Sequence, residues 1–416
     1  VLLGVLGLVV ILVVALQFKS TQNYITGKLT TYLSKKTNTK VSLGSVYIAF
    51  PKDISLTDLY VEDLHKDTLL YAQSIQLNLN LWDLLSKKLE LKDVSISKLT
   101  AHIYREFPDT LFNYSFIPTA FASKGKNATA RDSVESKPFE FAIKNVDLKD
   151  IYLTYQDTLS GISADIRLGT FKTNFNAFDL NKKNIHVKML QLENTSLLIA
   201  RSSALRKDTS VSKPFGYAIG LDKLDLNALK ITYKDAKSNQ DIRADIGKLN
   251  VLADRIDIAK QNIRLNQISL SQSAIVYTLN KNITVDTVTK KVKEAVNNTS
   301  ASSNWHISLK QLELTDNSFA YNNENTNPTA SGMDFNHLFL RKINLNGKDI
   351  YIEPEKISLT LNDLSLQEEK GFALKHVRTN LTYTKTQIEL AKLNIETNNS
   401  RIGDYIGLHF SSLNSL

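Results

Sequence analysis

The side chains best suited to chemistry are seven histidines, and their spacing assembles no site. His65, His102, His186, His306, His337, His376 and His409 are scattered, with no H-E-x-x-H or paired spacing that would bring two imidazoles to one metal ion. The chain has no cysteine, which excludes disulfides, thiolate metal sites and a cysteine nucleophile. It also lacks the G-x-S-x-G elbow, the Walker A loop and the G-x-G-x-x-G fingerprint. Neighbouring carboxylates in "EDLHKD", from Glu62 to Asp67, read as a solvated turn. The N-x-S/T triplets at Asn113 and Asn194 reflect an Asn- and Thr-rich polar face. The residue types therefore point to no enzymatic activity, no cofactor and no metal, and the function must lie in the elements themselves.

Those elements announce themselves by alternation. "SIQLNLNLW", Ser74 to Trp82, puts Ile75, Leu77, Leu79 and Leu81 on one side of an extended chain and Gln76, Asn78 and Asn80 on the other, the period-2 pattern of a half-buried strand. The pattern recurs in "VDLKDIYLTY" at Val146, "KLDLNALKITY" at Lys223, "HLFLRKINLN" at His337 and "KISLTLNDLSL" at Lys356. The expected fold class is mainly β, a long curled antiparallel sheet after an N-terminal transmembrane helix. At about 10 to 15 residues per strand and turn, roughly 25 to 35 strands are expected.

Charge is unevenly placed. Lys19, Lys28, Lys35, Lys36, Lys40 and Lys52 all precede the first acidic residue, Asp53, and beyond it the chain is nearly balanced. A basic end without Arg-aromatic interleaving argues against nucleic acid as a partner and fits a membrane surface, for which Lys19, Lys28, Lys35 and Lys36 are the candidates. The first 18 residues are apolar apart from Gln17, close to the length of a spanning helix. Because no small-residue cleavage site follows, they read as an uncleaved anchor at 1–18, with a signal-peptide core as the alternative. Residues 19–40 are expected to form a juxtamembrane amphipathic helix, with Tyr24, Ile25, Leu29, Tyr32 and Leu33 at helical spacing. A second helix is expected over 284–298, within a connecting loop, from Val285, Val288, Val292 and Val296.

Polar stretches near Ala122, Ser202 and Asn297 each precede the same text. "KPFEFAIKNVDLKDIYLTYQD" from Lys137 matches "KPFGYAIGLDKLDLNALKITYKD" from Lys213, and "WHISLKQLELTDNSFAYNN" from Trp305 keeps the spacing. Leu148, Leu226 and Leu314 correspond, as do Tyr155, Tyr233 and Tyr321, so the chain is a repeat protein with a period of about 80 residues. After a β region at 41–118, the repeats are placed at 137–201, 213–283 and 305–416. Within each copy the apolar parity switches at polar steps such as Lys144-Asn145 and Lys149-Asp150. Either an extra residue is bulged out there, bending the strand, or the steps are hairpin turns.

A sheet with one apolar face must cover it, and the helix candidates are too few. Either the sheet folds on itself as a sandwich or solenoid, or it curls into an open trough whose apolar floor takes a ligand. For a continuous apolar strip beside a membrane segment that ligand is an acyl chain. The floor then comprises Ile75, Leu77, Leu79 and Leu81, then Val94 and Ile96. The first repeat adds Phe139, Phe141, Ile143, Leu148, Ile151 and Leu153. Phe215, Tyr217, Ile219, Leu226 and Ile231 follow in the second, and Leu314, Leu359 and Leu361 in the third. The aromatic members, with Trp305, serve equally well as strand core.

The N-terminal third resembles the AsmA-like proteins, specifically the TamB type of Gram-negative envelopes. The features are a membrane helix followed by "TNTKVSLGSVYIAFPKDISLTDLYVED", with Gly44-Ser45-Val46 in the first strand, the Leu84-Leu85-Ser86-Lys87 turn, and Phe112-Asn113 after the "REFPD" loop, over residues 1–117. The resemblance implies an inner-membrane anchor with the bulk of the chain in the periplasm. It also implies a bridge-like groove that carries phospholipid toward the outer membrane or, alternatively, a scaffold that assembles outer-membrane proteins with a TamA-like barrel. On this reading the chain corresponds to an N-terminal portion, without the C-terminal region through which such proteins engage the barrel.

Overall fold

A computed structural model describes residues 17–86, 88–121, 140–202, 217–258, 260–281 and 304–411. Residues 1–16 of the proposed anchor at 1–18, the helix at 284–298, Phe139 and Phe215 lie outside these residues. No helix among the described residues is long and apolar enough to cross a membrane. The protein is mainly β, with few helices. Its described residues group into two compact units, 1–186 with 195–217 and 187–194 with 218–416.

In the first unit, helix α1 (Lys19–Thr37) ends at Asn38, whose φ of 57° makes it a left-handed cap. Strands β1 (Val41–Ser42) and β2 (Ser45–Ala49) both pair with β3 (Asp53–Glu62), which continues to β4 (Thr68–Leu79) and, past a 3-10 turn (Leu81–Ser86), to β5 (Lys88–Arg105). All of these pairs are antiparallel. The short helix α2 (Phe116–Phe121) precedes β6 (Glu140–Asp157), which lies parallel to β5 and antiparallel to β7 (Ile162–Asp179). Strand β8 (Asn184–Arg201) follows.

In the second unit β9 (Ala218–Asp235) pairs with β10 (Gln240–Asp257), and β10 pairs along its two halves with β11 (Asn262–Ser271) and β12 (Ala274–Leu279). Both of these run parallel to β13 (His306–Asn323). An antiparallel run closes the unit: β14 (His337–Ile352), β15 (Lys356–Glu368), β16 (Ala373–Thr384), β17 (Gln387–Thr397) and β18 (Arg401–His409).

Two expectations are corrected. The sheet is mixed rather than antiparallel, because parallel neighbours need a long return connection and the polar segments before β6 and β13 supply it. The strands also number 18 among the described residues, fewer than expected, because many run unbroken for 18 residues.

That length answers the parity question at Asp150. Strand β6 passes through it without turning back, and Asp150 takes a φ of 55°. Ala228 in β9 and Asp316 in β13 do the same at 53° and 52°, at the positions that the repeat aligns with Asp150. Lys98 in β5 and Asp58 in β3 fall at the same level of the first unit. The register resumes there along Leu59, Ala72, Leu99, Ile151 and Leu168. A left-handed residue thus recurs at one level of β3, β5 and β6 in the first unit and of β9 and β13 in the second, and marks a crease across each ladder.

Several buried residues follow that crease. Ala72 is wholly buried in the first unit, and Leu229, Ser273, Asn317 and Leu393, each next to a left-handed residue, are buried in the second. Where the bulge interrupts the ladder, side chains replace its hydrogen bonds: the Ser273 amide donates to Asn317 Oδ1 (3.0 Å), Asn317 Nδ2 donates to the Leu270 carbonyl (3.0 Å), and the Gly247 amide donates to Ser273 Oγ (3.1 Å). Gly247 is required at this crossing, since a Cβ there would stand 2.4 Å from the Gln272 carbonyl oxygen.

Candidate functional site

Paired residues share a face, so the ladder registers convert strand alternation into rows. In the first unit one row runs Ile48, Ile54, Leu77, Val94, Val146, and the next runs Val46, Leu56, Ile75, Ile96, Leu148, Phe171. Beyond the crease the rows continue as Leu59, Ala72, Leu99, Ile151, Leu168 and as Val61, Leu70, Ala101, Leu153, Ile166. Phe141 and Ile143 stand beside Leu89 and Leu91 on β5. The second unit repeats the design with Leu226, Leu249, Leu270, Leu314, Leu345, Leu364 and, past the crease, Ile231, Ala244, Ile275, Phe319, Leu340. Leu359 meets Leu381, which in turn meets Leu390, while Leu361 meets Gly347. Ile219 lies at the start of β9 and Tyr217 just before it.

The expected floor residues that lie in these ladders thus share an apolar face within each unit, and most are only half-buried. Among the described residues each strand approaches its ladder neighbours, and the other element contacts are α1 on β1, β2 and α2, and the 3-10 turn on β5. No second layer of described residues packs on the rows. Val46, Ala72 and Ala101 in these rows are buried, as is Leu79, at 4% exposure. Its amide donates to the Lys52 carbonyl (2.7 Å), and that end of β4 is closed by the 3-10 turn that begins at Leu81 and by Trp82 set edge-on to Phe50.

The opposite face is polar and internally bonded. Asn78 donates to Asp53 (2.7 Å), Asn145 to Asp93 (2.8 Å) and Asn174 to Asn145 (2.7 Å) along one row. Asn362 donates to Asn346 (2.7 Å) in the second unit. These amides satisfy one another across strands and form no catalytic arrangement. Among the described residues no three His, Asp or Glu side chains converge as metal ligands.

The strand ends carry a motif that alternation does not reveal. In "YQD" and "YKD" the Tyr stands on the apolar face and the Asp two residues later caps the turn: Asp157 Oδ1 accepts from the Leu159 and Ser160 amides, and Asp235 Oδ1 from those of Lys237 and Ser238. These are Asx turns. Tyr155 and Tyr233 donate their hydroxyls to the same carboxylates. Arg105 pairs in bidentate fashion with Asp157 and, with Ser160, holds it down to about 2. Asp235 is lowered by hydrogen bonds from Ser238, Lys237 and Tyr233 that outweigh its burial. The signal was in the sequence as Tyr-x-Asp/Asn at equal spacing, but only turn geometry gives it meaning.

At this rim of the first unit Asp63, 1% exposed, accepts from the His65 and Asp67 amides, Tyr104 Oη (2.7 Å) and Asn113 Nδ2 (3.2 Å). These bonds overcome its desolvation and lower its pKa, while burial and the nearby Asp63 carboxylate raise that of Tyr104. Asn113 also takes the Tyr104 amide and donates to the His102 carbonyl. The adjacent Phe112 stacks on Tyr114 and lies against Tyr155 and the Arg105 guanidinium. The Phe112-Asn113 pair therefore pins the loop after β5, beside a cavity of about 620 Å³ lined by Leu64, His65, Tyr104, Leu111, Phe112 and Phe116 among others.

Helix α1 closes the first sheet edge with hydroxyls. Thr26 Oγ1 accepts the Val46 amide (3.0 Å), and Ser34 Oγ bonds both the amide and the carbonyl of Val41. Ile25, Leu29 and Leu33 are half-buried, whereas Tyr24 and Tyr32 are exposed, so the expected apolar stripe is divided between two faces. Lys19, Lys28, Lys35 and Lys36 are all exposed, and Lys28 lies 5.4 Å above the Tyr24 ring. Neither any protein-family model nor any curated protein matches this chain.

Proposed function

We propose that the protein is a non-enzymatic lipid conduit. Phospholipid acyl chains lie on the apolar rows, headgroups stay in water at the open side, and lipid passes from strand to strand of a curled β-groove. The observation that carries this reading is the set of apolar rows within each unit, with no second layer of described residues upon them, a surface abnormal for a protein that meets only water. The crease supports it, because left-handed residues at one level of several strands of a sheet favour its curling. The resemblance of residues 1–117 to the TamB type supplies the setting: an inner-membrane anchor, a periplasmic groove and transport toward the outer membrane.

The full chain purified in mild detergent should carry phospholipid, detected by native mass spectrometry and by solvent extraction. A reproducibly lipid-free preparation overturns the conduit. A second reading, a scaffold that pairs with strands of outer-membrane proteins alongside a TamA-like barrel, is favoured by β18, which exposes Ile402, Tyr405, Ile406 and Leu408 and pairs with β17 among the described residues. A photo-crosslinker in place of Leu77 or Ile96 separates the two readings, trapping lipid under the first and polypeptide under the second.

A further inference from the structure

We infer that α1 is a flat, two-faced helix whose outer face, built on Tyr24, Lys28, Tyr32 and Lys35, lies in the headgroup layer of an anionic bilayer while its inner face seals the first sheet edge. This deepens the proposed membrane attachment and rests on it. Three observations carry it. The inner face is committed, since Thr26 and Ser34 bond the backbones of Val46 and Val41, so the helix cannot turn its other side inward without unpairing an edge strand. The outer face combines two exposed aromatic rings, Tyr24 at 66% and Tyr32 at 56%, with lysines at helical spacing. Tyrosine favours the interface because its ring is apolar and its hydroxyl wet. Finally, no acidic residue occurs from residue 17 through Lys52, so the surface complements a negative one without internal neutralisation.

Geometry also divides the four candidate lysines. Lys28 and Lys35, seven residues apart, project on the side of Tyr24, whereas at 100° per residue Lys19 falls on the side of Thr26 and Lys36 on the border. The contact is therefore specific to one face rather than a general attraction of the basic end.

The chain has no cysteine, so a single environment-sensitive label can be placed at will. In the full-length protein, Thr31→Cys puts it on the outer face and Gln76→Cys on the exposed polar face of β4. In vesicles containing phosphatidylglycerol the label at 31 should report the headgroup layer and the label at 76 water. Lys28→Gln/Lys35→Gln should return the first label to water, lowering bilayer contact about 30-fold for two lysines. Pure phosphatidylcholine vesicles or high salt should act likewise, and Lys19→Gln/Lys36→Gln should do much less. A protein that floats with the vesicles while both labels report water overturns this inference and leaves the attachment standing. A protein that does not float at all overturns the attachment, and this inference with it.

Discussion

The crease and the apolar rows are made from the same residue types and behave as different materials. At the crease, Ala72, Leu229 and Leu393 are sealed and polar side chains complete the interrupted ladder. A few residues away on the same strands, Ile75, Leu77, Leu226 and Ile231 stay half-exposed. A core residue contributes stability by excluding water, about 1.5–3 kcal/mol for a fully buried aliphatic side chain. A row residue is only partly desolvated, and its remaining apolar surface is free for a ligand. Close burial and residual apolar exposure thus occur at different levels of one strand.

The largest expected effect breaks the crease itself. Gly247→Val would drive a Cβ against the backbone of Gln272, and because backbone cannot rotate aside as a side chain can, a loss of about 3–5 kcal/mol is expected. Urea denaturation of the second unit's transition would measure it, and a midpoint close to wild type would mean that the strands are not locked at this level.

Next is a pair that separates core from row on one strand. Leu79→Asp buries a carboxylate at a closed strand end and should cost about 3–5 kcal/mol. Leu77→Asp, two residues earlier on the half-exposed row, should cost about 1 kcal/mol or less, keep β-sheet circular dichroism, and lose co-purified lipid. If Leu77→Asp unfolds the protein, something covers the row. If it folds and still carries lipid, the row is not the floor.

A smaller effect than those of Gly247→Val and Leu79→Asp concerns the rim that both regions share. Asp157 is depressed from its ordinary 3.8 to about 2, mainly by Arg105, so its contribution is present above pH 3.8 and is lost as the pH falls toward 2. Asp157→Asn should therefore cost about 1–2 kcal/mol at neutral pH and flatten acid unfolding between pH 4 and 2. An unchanged acid profile would show that the corner cap contributes nothing to stability.

Much was legible in the sequence because strand alternation has a period of two and needs no tertiary knowledge. Ile75, Leu77, Val94, Ile96, Leu148 and Ile151 announce a common face on their own. The parity switch at Lys149-Asp150 announces a break in the alternation, which proves to be a left-handed residue without a shift of register, and Tyr155, Tyr233 and Tyr321 announce the repeat. What alternation cannot carry is the partner of each strand. Parallel pairing of β5 with β6 depends on where a long loop returns, the burial of Leu79 on a turn arriving from another hairpin, and the need for Gly247 on how close the Ser271-Gln272 backbone comes. The same limit applies to α1, whose spacing is helical in any setting. The choice of Thr26 and Ser34 for its inner face follows from the unpaired amides of Val46 and Val41, which exist only once the sheet has an edge there. Local pattern fixes which side of a strand is apolar, because steric alternation is a property of the chain. Tertiary structure decides which of those apolar positions lose their water, because burial is a property of neighbours.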